Sequence, residues 1–529
     1  MTRHDAIRIL ALSIVVGALA AITLPGNAMG VNMPLLVVAL AAAAVAAAGA
    51  AGLRRVDPAD AWMAPAAIGF AAMTALRTDP WLVMLDLLVS ATLITAAIAT
   101  LGGARVTRGA VGMVMAWAIG SMFAAIAGVA VVLAAAVRRA PSDPAAEGAS
   151  GEAARRRLPS IPARAKPVLR GLIIAVPLVL LFTALFSAAD AVFGRLAASL
   201  LDWHLNLNLE VLTAQGVVTA VVAWGVAGLL ALGAAALPSF TGTVAPAEAV
   251  SWGPAGVPAS VAVAVRQPLL GSVEATTVLV VLDMLFVAFV ALQVAYLFGG
   301  RDTLAASGFT YSDYARRGFF ELVAAAALAG SIAVGLDRLV GQRSRAQLGA
   351  SMAMLALTLV ILASALARLR LYQDAYGWTE LRFVVLVSIG WLAAAVVATV
   401  VLLIRNRTQW TLHALTVLAL VALAGMNAVG PESFVAQQNL DRAANPALVP
   451  TDGNTGLDLG YLGMLGDEAV PVAIAALPLL NASDRAAVET LLDDRAWSLK
   501  GEMQGTGWPS WNLARERMRE VLSRWEASR

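Results

Sequence analysis

The sequence predicts an all-α, polytopic helical membrane protein with about 11–12 membrane segments and a small helical C-terminal soluble domain. Of its 529 residues, 60% are hydrophobic and only 13% are charged, whereas soluble domains average about 45–50% and about 25%. Runs of about 20 apolar residues, the length of helix that crosses a bilayer, recur along most of the chain. From about residue 430 these runs stop, and a more polar sequence with helical periodicity begins.

The apolar runs define the candidate membrane segments in chain order. Segment 61–76 contains Pro65 and is short for about 30 Å of hydrocarbon, so we expect it either to tilt or to re-enter. The first segment follows Arg3 and Arg8, but Gly26-Asn27-Ala28 is a poor cleavage site, which favours a retained helix over a signal peptide. The candidate segments cover approximately residues 8–24, 32–53, 61–76, 81–101, 111–137, 168–189, 212–237, 271–298, 318–340, 346–367, 383–404 and 410–429.

These segments and the polar stretches between them divide the chain into four parts. We expect N-terminal membrane segments in 1–137, a basic flexible cytoplasmic linker in 138–167, a main membrane domain in 168–429 and a helical soluble domain in 430–529. The middle of the linker is rich in Pro, Ala, Gly and Ser, a composition that cannot bury a core.

The positions of Arg and Lys predict the orientation. The strongest basic cluster lies between Arg138 and Arg170, and the positive-inside rule places it in the cytoplasm. Alternation from there leaves the C-terminal tail extracytoplasmic. Arg54 and Arg55 also favour the cytoplasm, which agrees with the linker only if segment 61–76 does not cross. Because arginine and alanine are abundant and lysine is rare, we expect a bacterial cytoplasmic (inner) membrane protein.

The tail contains two amphipathic patterns. Both place apolar residues at helical spacing, and Ser483 is a plausible N-cap for the first of them. We expect these helices to pack against one another or on the membrane surface; the alternative is a groove for a partner. The two stripes are Val488, Leu491, Leu492, Arg495 and Leu499, and Ala514, Met518, Val521, Leu522 and Trp525.

Composition and motifs exclude several functions. A net charge of +3 is too small to indicate a nucleic-acid partner. The chain has no cysteine, and its three histidines are dispersed, so we expect no metal site and no cofactor. A P-loop, a Gly-x-Ser-x-Gly elbow, a His-Glu-x-x-His motif and a dinucleotide fingerprint are all missing. The catalytic residues of any reaction are therefore unknown, and the sequence leans away from an enzyme.

A candidate intramembrane polar site consists of Asp283, Glu274 and Gln293 on one apolar segment. An ionisable group near the bilayer centre costs at least about 2.5–3.5 kcal/mol, so it needs a reason to persist. Asp283 is either a proton or cation site or a neutral carboxyl that fixes helix packing. Glu274 lies nine residues earlier, on the opposite helix face, so the two carboxylates do not form a pair.

A candidate interface cluster lies at two helix starts. Its first part is predicted to hold an i, i+4 ion pair between Arg317 and Glu321, and its tyrosines are typical of a membrane interface. Its second part surrounds a turn at Gly377 and Thr379. The structural interpretation is a pair of interface turns, and the alternative is a ligand site. The cluster comprises Tyr311, Tyr314, Arg317 and Glu321, and then Arg370, Tyr372, Asp374, Tyr376, Glu380 and Arg382.

Several stretches resemble a bacterial family of multi-pass membrane proteins, domain of unknown function 4173. The likeness covers roughly residues 170–465, with a looser match before it, and implies an integral membrane protein without supplying catalytic residues. Its most specific piece is Tyr311–Glu321. The other pieces are 185–193, 293–300, 308–310 and 372–382, together with Asn427, Pro431-Glu432, Asn439 and Leu459-Gly460-Tyr461-Leu462.

Three functions remain open. The first is a non-enzymatic envelope or signalling-accessory membrane protein, whose partners are the lipid bilayer and a membrane or extracytoplasmic protein. The second is a secondary transporter or ion-coupled channel that uses Asp283. The third is a membrane-embedded transferase on a lipid-linked substrate, with Glu321, Asp374 or Arg382 at the interface.

Overall fold

The computed structural model describes residues 3–103, 165–201, 270–298, 319–449, 453–454, 456–502 and 507–529. In these residues the secondary structure is helical, apart from an isolated bridge between Leu270 and Val340, so the all-α prediction is confirmed. The α-helices are, in chain order, α1 Arg3–Thr23, α2 Asn32–Leu53, α3 Met63–Met73, α4 Pro80–Leu101, α5 Ala165–Ala189, α6 Ala191–Leu201, α7 Ser272–Phe298, α8 Phe319–Leu339, α9 Arg345–Tyr376, α10 Glu380–Ile404, α11 Thr411–Val429, α12 Pro431–Ala444, α13 Leu459–Met464, α14 Val470–Ala476, α15 Ala482–Glu502 and α16 Leu513–Ala527.

Eight of the described helices are long and apolar enough to cross a membrane: α2, α4, α5, α7, α8, α9, α10 and α11. This confirms a multi-pass membrane protein. Each of them coincides with a predicted segment. Predicted segments 111–137 and 212–237 lie outside the described residues.

The chain divides into two compact units. Unit 1 contains Met1–Val114, Leu369–Trp391 and Leu415–Arg529, and unit 2 contains Met115–Arg368 and Leu392–Ala414. Helices α9 and α10 run through the boundary between them. In unit 2, α5 packs on α7 and α8, and four phenylalanines fill the contact: Phe182, Phe186, Phe286 and Phe289.

In unit 1 the short segment that contains α3 extends from one end of helices α2 and α4 to the other. The Thr74 hydroxyl, just after α3, donates to the Gly30 carbonyl before α2, over 3.0 Å. At the other end, a Cβ built on Gly52 would lie 3.4 Å from the Leu101 carbonyl oxygen. Helices α2 and α4 are therefore parallel, and the chain between them runs back from one end to the other. This path favours the tilted crossing over re-entry.

The tail folds around its own core within unit 1. The two predicted stripes supply Val488, Leu492, Met518 and Leu522 to that core, which confirms the helical tail. The N-cap of α15 is Asn481 rather than Ser483, because the Asn481 side chain accepts the Asp484 N–H at 2.9 Å. The separate boundaries proposed for the four parts remain predictions.

Candidate functional site

The three residues of the predicted intramembrane site are spread along α7. Glu274, in the first turn, accepts the Gly271 N–H at 2.9 Å and lies 3.5 Å from Arg170. Asp283 is half-buried at mid-helix, and its Oδ1 has no hydrogen-bond partner in the described structure. Gln293 is buried near the C-terminal end of α7. Nine residues of helix separate the carboxylates by about 13 Å, so the structure does not bring these residues together.

The predicted interface cluster is only partly described. Tyr311, Tyr314 and Arg317 lie outside the described residues, while Glu321 is half-buried in the first turn of α8. The ion pair between Arg317 and Glu321 therefore stays a prediction.

The second part of that cluster is a turn held by side chains. Gly377 has φ 79°, a left-handed conformation that glycine adopts at little cost. Asn439 accepts the Trp378 N–H at 2.7 Å and donates to the Trp378 carbonyl at 2.9 Å. The Arg382 guanidinium lies 4.1 Å from the centre of the Tyr372 ring and donates to the Tyr376 carbonyl.

Other polar side chains of this turn either donate hydrogen bonds to its main chain or are exposed to solvent. Arg442 donates to the carbonyls of Asp374 and Ala375, at 2.9 and 3.2 Å, and burial lowers its pKa. Arg370, Asp374 and Tyr376 are exposed. These contacts close the turn between α9 and α10.

Next to this turn, unit 1 brings together three carboxylates from helix starts. We call Asp79, Glu380 and Glu432 the carboxylate cluster. Each offers an oxygen, and these oxygens all lie within 4.8 Å of one another. Asp79 is the N-cap of α4, Glu380 begins α10, and Glu432 lies in the first turn of α12. Acidic residues are favourable at each position singly, because the N-terminus of a helix carries partial positive charge.

Two carboxylates of this cluster are buried with one oxygen unsatisfied. Asp79 is 0% exposed and Glu432 is 3% exposed. Asp79 Oδ1 faces the Leu82 N–H at 3.5 Å, and Glu432 accepts a hydrogen bond from the Glu468 backbone. Asp79 Oδ2 and Glu432 Oε2 have no hydrogen-bond partner in the described part of the chain.

An ion pair lies beside the cluster. Arg77 Nη1 is 2.6 Å from Glu468 Oε2, and the guanidinium also donates to the Asn427 carbonyl. The Thr78 N–H donates to Glu468 Oε1 at 3.2 Å. Gly430, with φ 74°, starts the turn into α12 against this pair; a Cβ there would lie 2.6 Å from Arg77 Nη1.

Burial and mutual repulsion raise the pKa values of the cluster. Burial, followed by the charge of Glu380, raises the pKa of Asp79 to about 7. Burial, followed by the charge of Asp79, raises the pKa of Glu432 to about 8. The pKa of Tyr461, whose hydroxyl oxygen accepts the Glu380 N–H at 2.8 Å, is also raised by burial. The cluster therefore holds protons near neutral pH unless a cation takes their place.

A further buried acid lies deeper on α4. Asp86 is 0% exposed and follows Asp79 by seven residues, two turns along the same helix face. Asn427 Nδ2 donates to its Oδ1 at 2.8 Å. Its Oδ2 has no partner in the described structure.

Sequence reasoning selected Glu380 but missed Asp79, Asp86 and Glu468, and did not select Glu432 as a site residue. Each of the cluster acids resembles an ordinary helix cap when taken singly. The signal that could have identified the cluster is that α4, α10 and α12, whose first residues carry these acids, all begin at the same end of unit 1. The expectation of no metal site depended on cysteine and histidine and did not consider this carboxylate set.

Comparison with known proteins gives one family. The family model described as Domain of unknown function (DUF4153) matches residues 64–476. The resemblance to domain of unknown function 4173 is therefore wrong; apolar helices and interface tyrosines are shared by many membrane proteins and discriminate poorly between families. Neither a curated protein nor a solved structure matches the chain.

Proposed function

Because the chain belongs to the DUF4153 family, whose description gives no activity, we propose a function from the geometry. The protein is a non-enzymatic envelope protein of the bacterial cytoplasmic membrane. Its tail and the helix starts of unit 1 form one extracytoplasmic surface that contacts a membrane or envelope protein partner and passes a signal to the membrane helices.

The observation that best supports this proposal is a set of hydrogen bonds from the tail to main-chain carbonyls between the membrane helices of unit 1. Asn512 Nδ2 donates to the carbonyls of Thr74 and Arg77, at 2.9 and 2.8 Å. The Leu513 N–H donates to the Ala75 carbonyl at 2.8 Å. These carbonyls belong to the short connection between α3 and α4, so displacement of the tail reaches the adjoining ends of both helices.

Contacts with the loop before α2 extend the same attachment. The Val31 N–H donates to the Trp511 carbonyl at 3.0 Å, and the Ala28 N–H donates to Ser510 Oγ at 3.0 Å. Trp508 and Trp511 are 64% and 44% exposed at this place. Exposed tryptophan is typical of a membrane interface, which supports the bilayer as one partner of the tail.

The orientation is supported by arginine pairs at helix ends, one pair in unit 1 and one in unit 2. Arg54 and Arg55 are exposed at the end of the α2–α4 group opposite Asp79. Arg405 and Arg407 follow the end of α10 that is opposite Glu380. The positive-inside rule, applied to each arginine pair, places the tail outside. If α3 crosses, as its path favours, a crossing by the predicted segment 111–137 would put the basic linker outside too, so this path does not agree with the predicted cytoplasmic linker.

A non-enzymatic role is supported by the turn between α9 and α10. Arg382 is one of the residues proposed for a transferase. Its guanidinium lies against the Tyr372 ring and donates to the Tyr376 carbonyl of the same turn. These contacts are those of a structural turn.

Complementation of a deletion strain tests the proposal. We expect Asn512→Ala to release the tail, seen as faster proteolysis of 513–529, and to lose complementation while membrane yield is kept. Ser483→Ala, at an exposed tail position, is the matched control and should complement fully. Full complementation by an Asn512→Ala protein whose tail is demonstrably released would contradict the proposal.

Ion-coupled transport is a second candidate because of Asp283, whose half-buried carboxyl has an unpartnered oxygen. A transporter would need this group to titrate or to bind a cation during the cycle. Substitution of Asp283, described below, separates the two candidates.

A further inference from the structure

The geometry points to a binding site for a divalent, oxygen-ligated cation, Ca²⁺ in particular, at the carboxylate cluster of Asp79, Glu380 and Glu432. An oxygen from each of these side chains lies within 4.8 Å of an oxygen from both of the others. The inference goes beyond the proposed function and does not depend on the side of the membrane that the cluster faces.

The unsatisfied oxygens are the observation that requires a ligand. Asp79 and Glu432 are 0% and 3% exposed, and Asp79 Oδ2 and Glu432 Oε2 have no partner in the described residues. The other oxygen of Asp79 faces a backbone N–H, so Oδ2 is the one left for a ligand. Buried carboxylates are retained when they are paired, protonated or bound to a metal.

The neighbouring cation does not neutralise the cluster. Arg77 pairs with Glu468 and donates to a carbonyl, so its charge is already balanced. The ion pairs found between described residues do not include Asp79, Glu380 or Glu432. Three carboxylates thus share one small volume, and the described part of the chain pairs none of them with a basic side chain.

The donor set and spacing select the cation. Ligands that are all carboxylate oxygens favour the hard cations Ca²⁺, Mg²⁺ and Mn²⁺ over Zn²⁺ or Cu²⁺. The three oxygens lie within 4.8 Å of one another, close enough for one cation to bridge them after small side-chain movements. Ca²⁺ accepts about six to eight oxygens in a flexible geometry, whereas Mg²⁺ demands a near-ideal octahedron, so carboxylates brought together from three separate helix starts favour Ca²⁺.

Protons are the competing occupants of the cluster. Its raised pKa values, about 7 for Asp79 and about 8 for Glu432, describe the cluster without a cation. Ca²⁺ binding would release these protons and join the starts of α4, α10 and α12, whose sequences are far apart. A cluster that takes up only protons would give no response to Ca²⁺, which makes the two occupants distinguishable.

The test uses the purified full-length protein in detergent. The protein is stripped with EDTA and titrated with CaCl₂ or MgCl₂ at constant ionic strength, while tryptophan fluorescence reports the thermal midpoint. We expect 1 mM Ca²⁺ to raise the midpoint by about 5 °C or more and Mg²⁺ to raise it less. Isothermal titration should give one Ca²⁺ per chain.

Variants separate a cation site from a structural cluster. Glu432→Gln keeps the shape but replaces an ionisable ligand with a neutral amide, so the EDTA-stripped variant should be at least as stable as the unsubstituted protein, while Ca²⁺ affinity falls at least tenfold. Asp374→Asn, an exposed acid in the neighbouring turn, should keep the full response. Asp79→Asn should repeat the Glu432→Gln result.

Three results would overturn the inference. One is the absence of a Ca²⁺ shift in the unsubstituted protein, which would leave protons as the occupants. Another is an equal Ca²⁺ shift in Glu432→Gln and in the unsubstituted protein, which would place binding elsewhere. A Mg²⁺ shift that equals the Ca²⁺ shift would overturn the assignment to Ca²⁺.

Discussion

Removal of Arg368 should destabilise unit 2 more than any surface substitution. Arg368 and Asp190 are 1% and 3% exposed in side chain and form an ion pair at 2.9 Å. Arg368 also donates to the Ala189 carbonyl at 3.0 Å. Asp190 Oδ1 accepts the N–H groups of Val192 and Phe193, at 2.9 and 3.2 Å, so the same carboxylate caps α6.

The size of the effect follows from burial. Arg368→Met leaves the Asp190 charge buried without its ion pair, which costs about 3–5 kcal/mol. At roughly 2 °C per kcal/mol for a large chain, we expect the thermal midpoint to fall by roughly 6–10 °C. Arg485→Met removes an exposed pair with Glu489 and should cost less than about 1 kcal/mol.

A double-mutant cycle checks the reasoning. Asp190→Asn keeps a cap for α6, and the double variant Arg368→Met with Asp190→Asn removes both charges of this ion pair. Thermal unfolding in detergent should therefore show the double variant to be more stable than Arg368→Met alone, with a coupling of at least about 1.5 kcal/mol. Strictly additive losses, or a loss for Arg368→Met no larger than for Arg485→Met, would refute it.

Three further substitutions follow from the structure. Asp283→Asn should keep both fold and complementation if Asp283 only fixes packing, whereas a folded but inactive Asn variant would support ion coupling, and an active Asp283→Leu would contradict both roles. Gly466→Ala should lower stability by about 1–3 kcal/mol, because the new Cβ would lie 2.7 Å from Glu432 Oε2; Gly463→Ala, with only a 3.4 Å contact, is its control in thermal unfolding. Asn512→Ala should cost about 1–3 kcal/mol, since a buried and a part-buried carbonyl lose their donor and α16 loses its N-cap, and equal midpoints would contradict the attachment.

Hydropathy and periodicity predicted the helices well. A lipid-facing helix must be apolar over about 20 residues, and each helix of a small soluble domain must bury one apolar stripe. Both kinds of helix can therefore be recognised from a short stretch of sequence. For this reason the predicted stripe that contains Met518 and Leu522 lies in the hydrophobic core of the tail. Family assignment failed because the same local rules govern unrelated membrane families.

The candidate site could not be predicted from local rules. Asp79, Glu380 and Glu432 lie far apart in sequence, and each has an adequate local explanation as a cap. Only the packing of α4, α10 and α12 in unit 1 shows that their carboxylates converge. The pair of Arg368 and Asp190 was hidden in the same way, because nothing near either residue identifies the other.

The central claim is that the tail lies outside the cytoplasm, attached to the helix starts of unit 1. The chain has no cysteine, so single substitutions give clean labelling sites. Ser483→Cys in the tail and Gln342→Cys between α8 and α9 are both at exposed positions. In intact spheroplasts, a membrane-impermeant thiol reagent should label Ser483→Cys fully and Gln342→Cys only after permeabilisation. Labelling of Gln342→Cys in intact spheroplasts, with Ser483→Cys protected, would contradict the account.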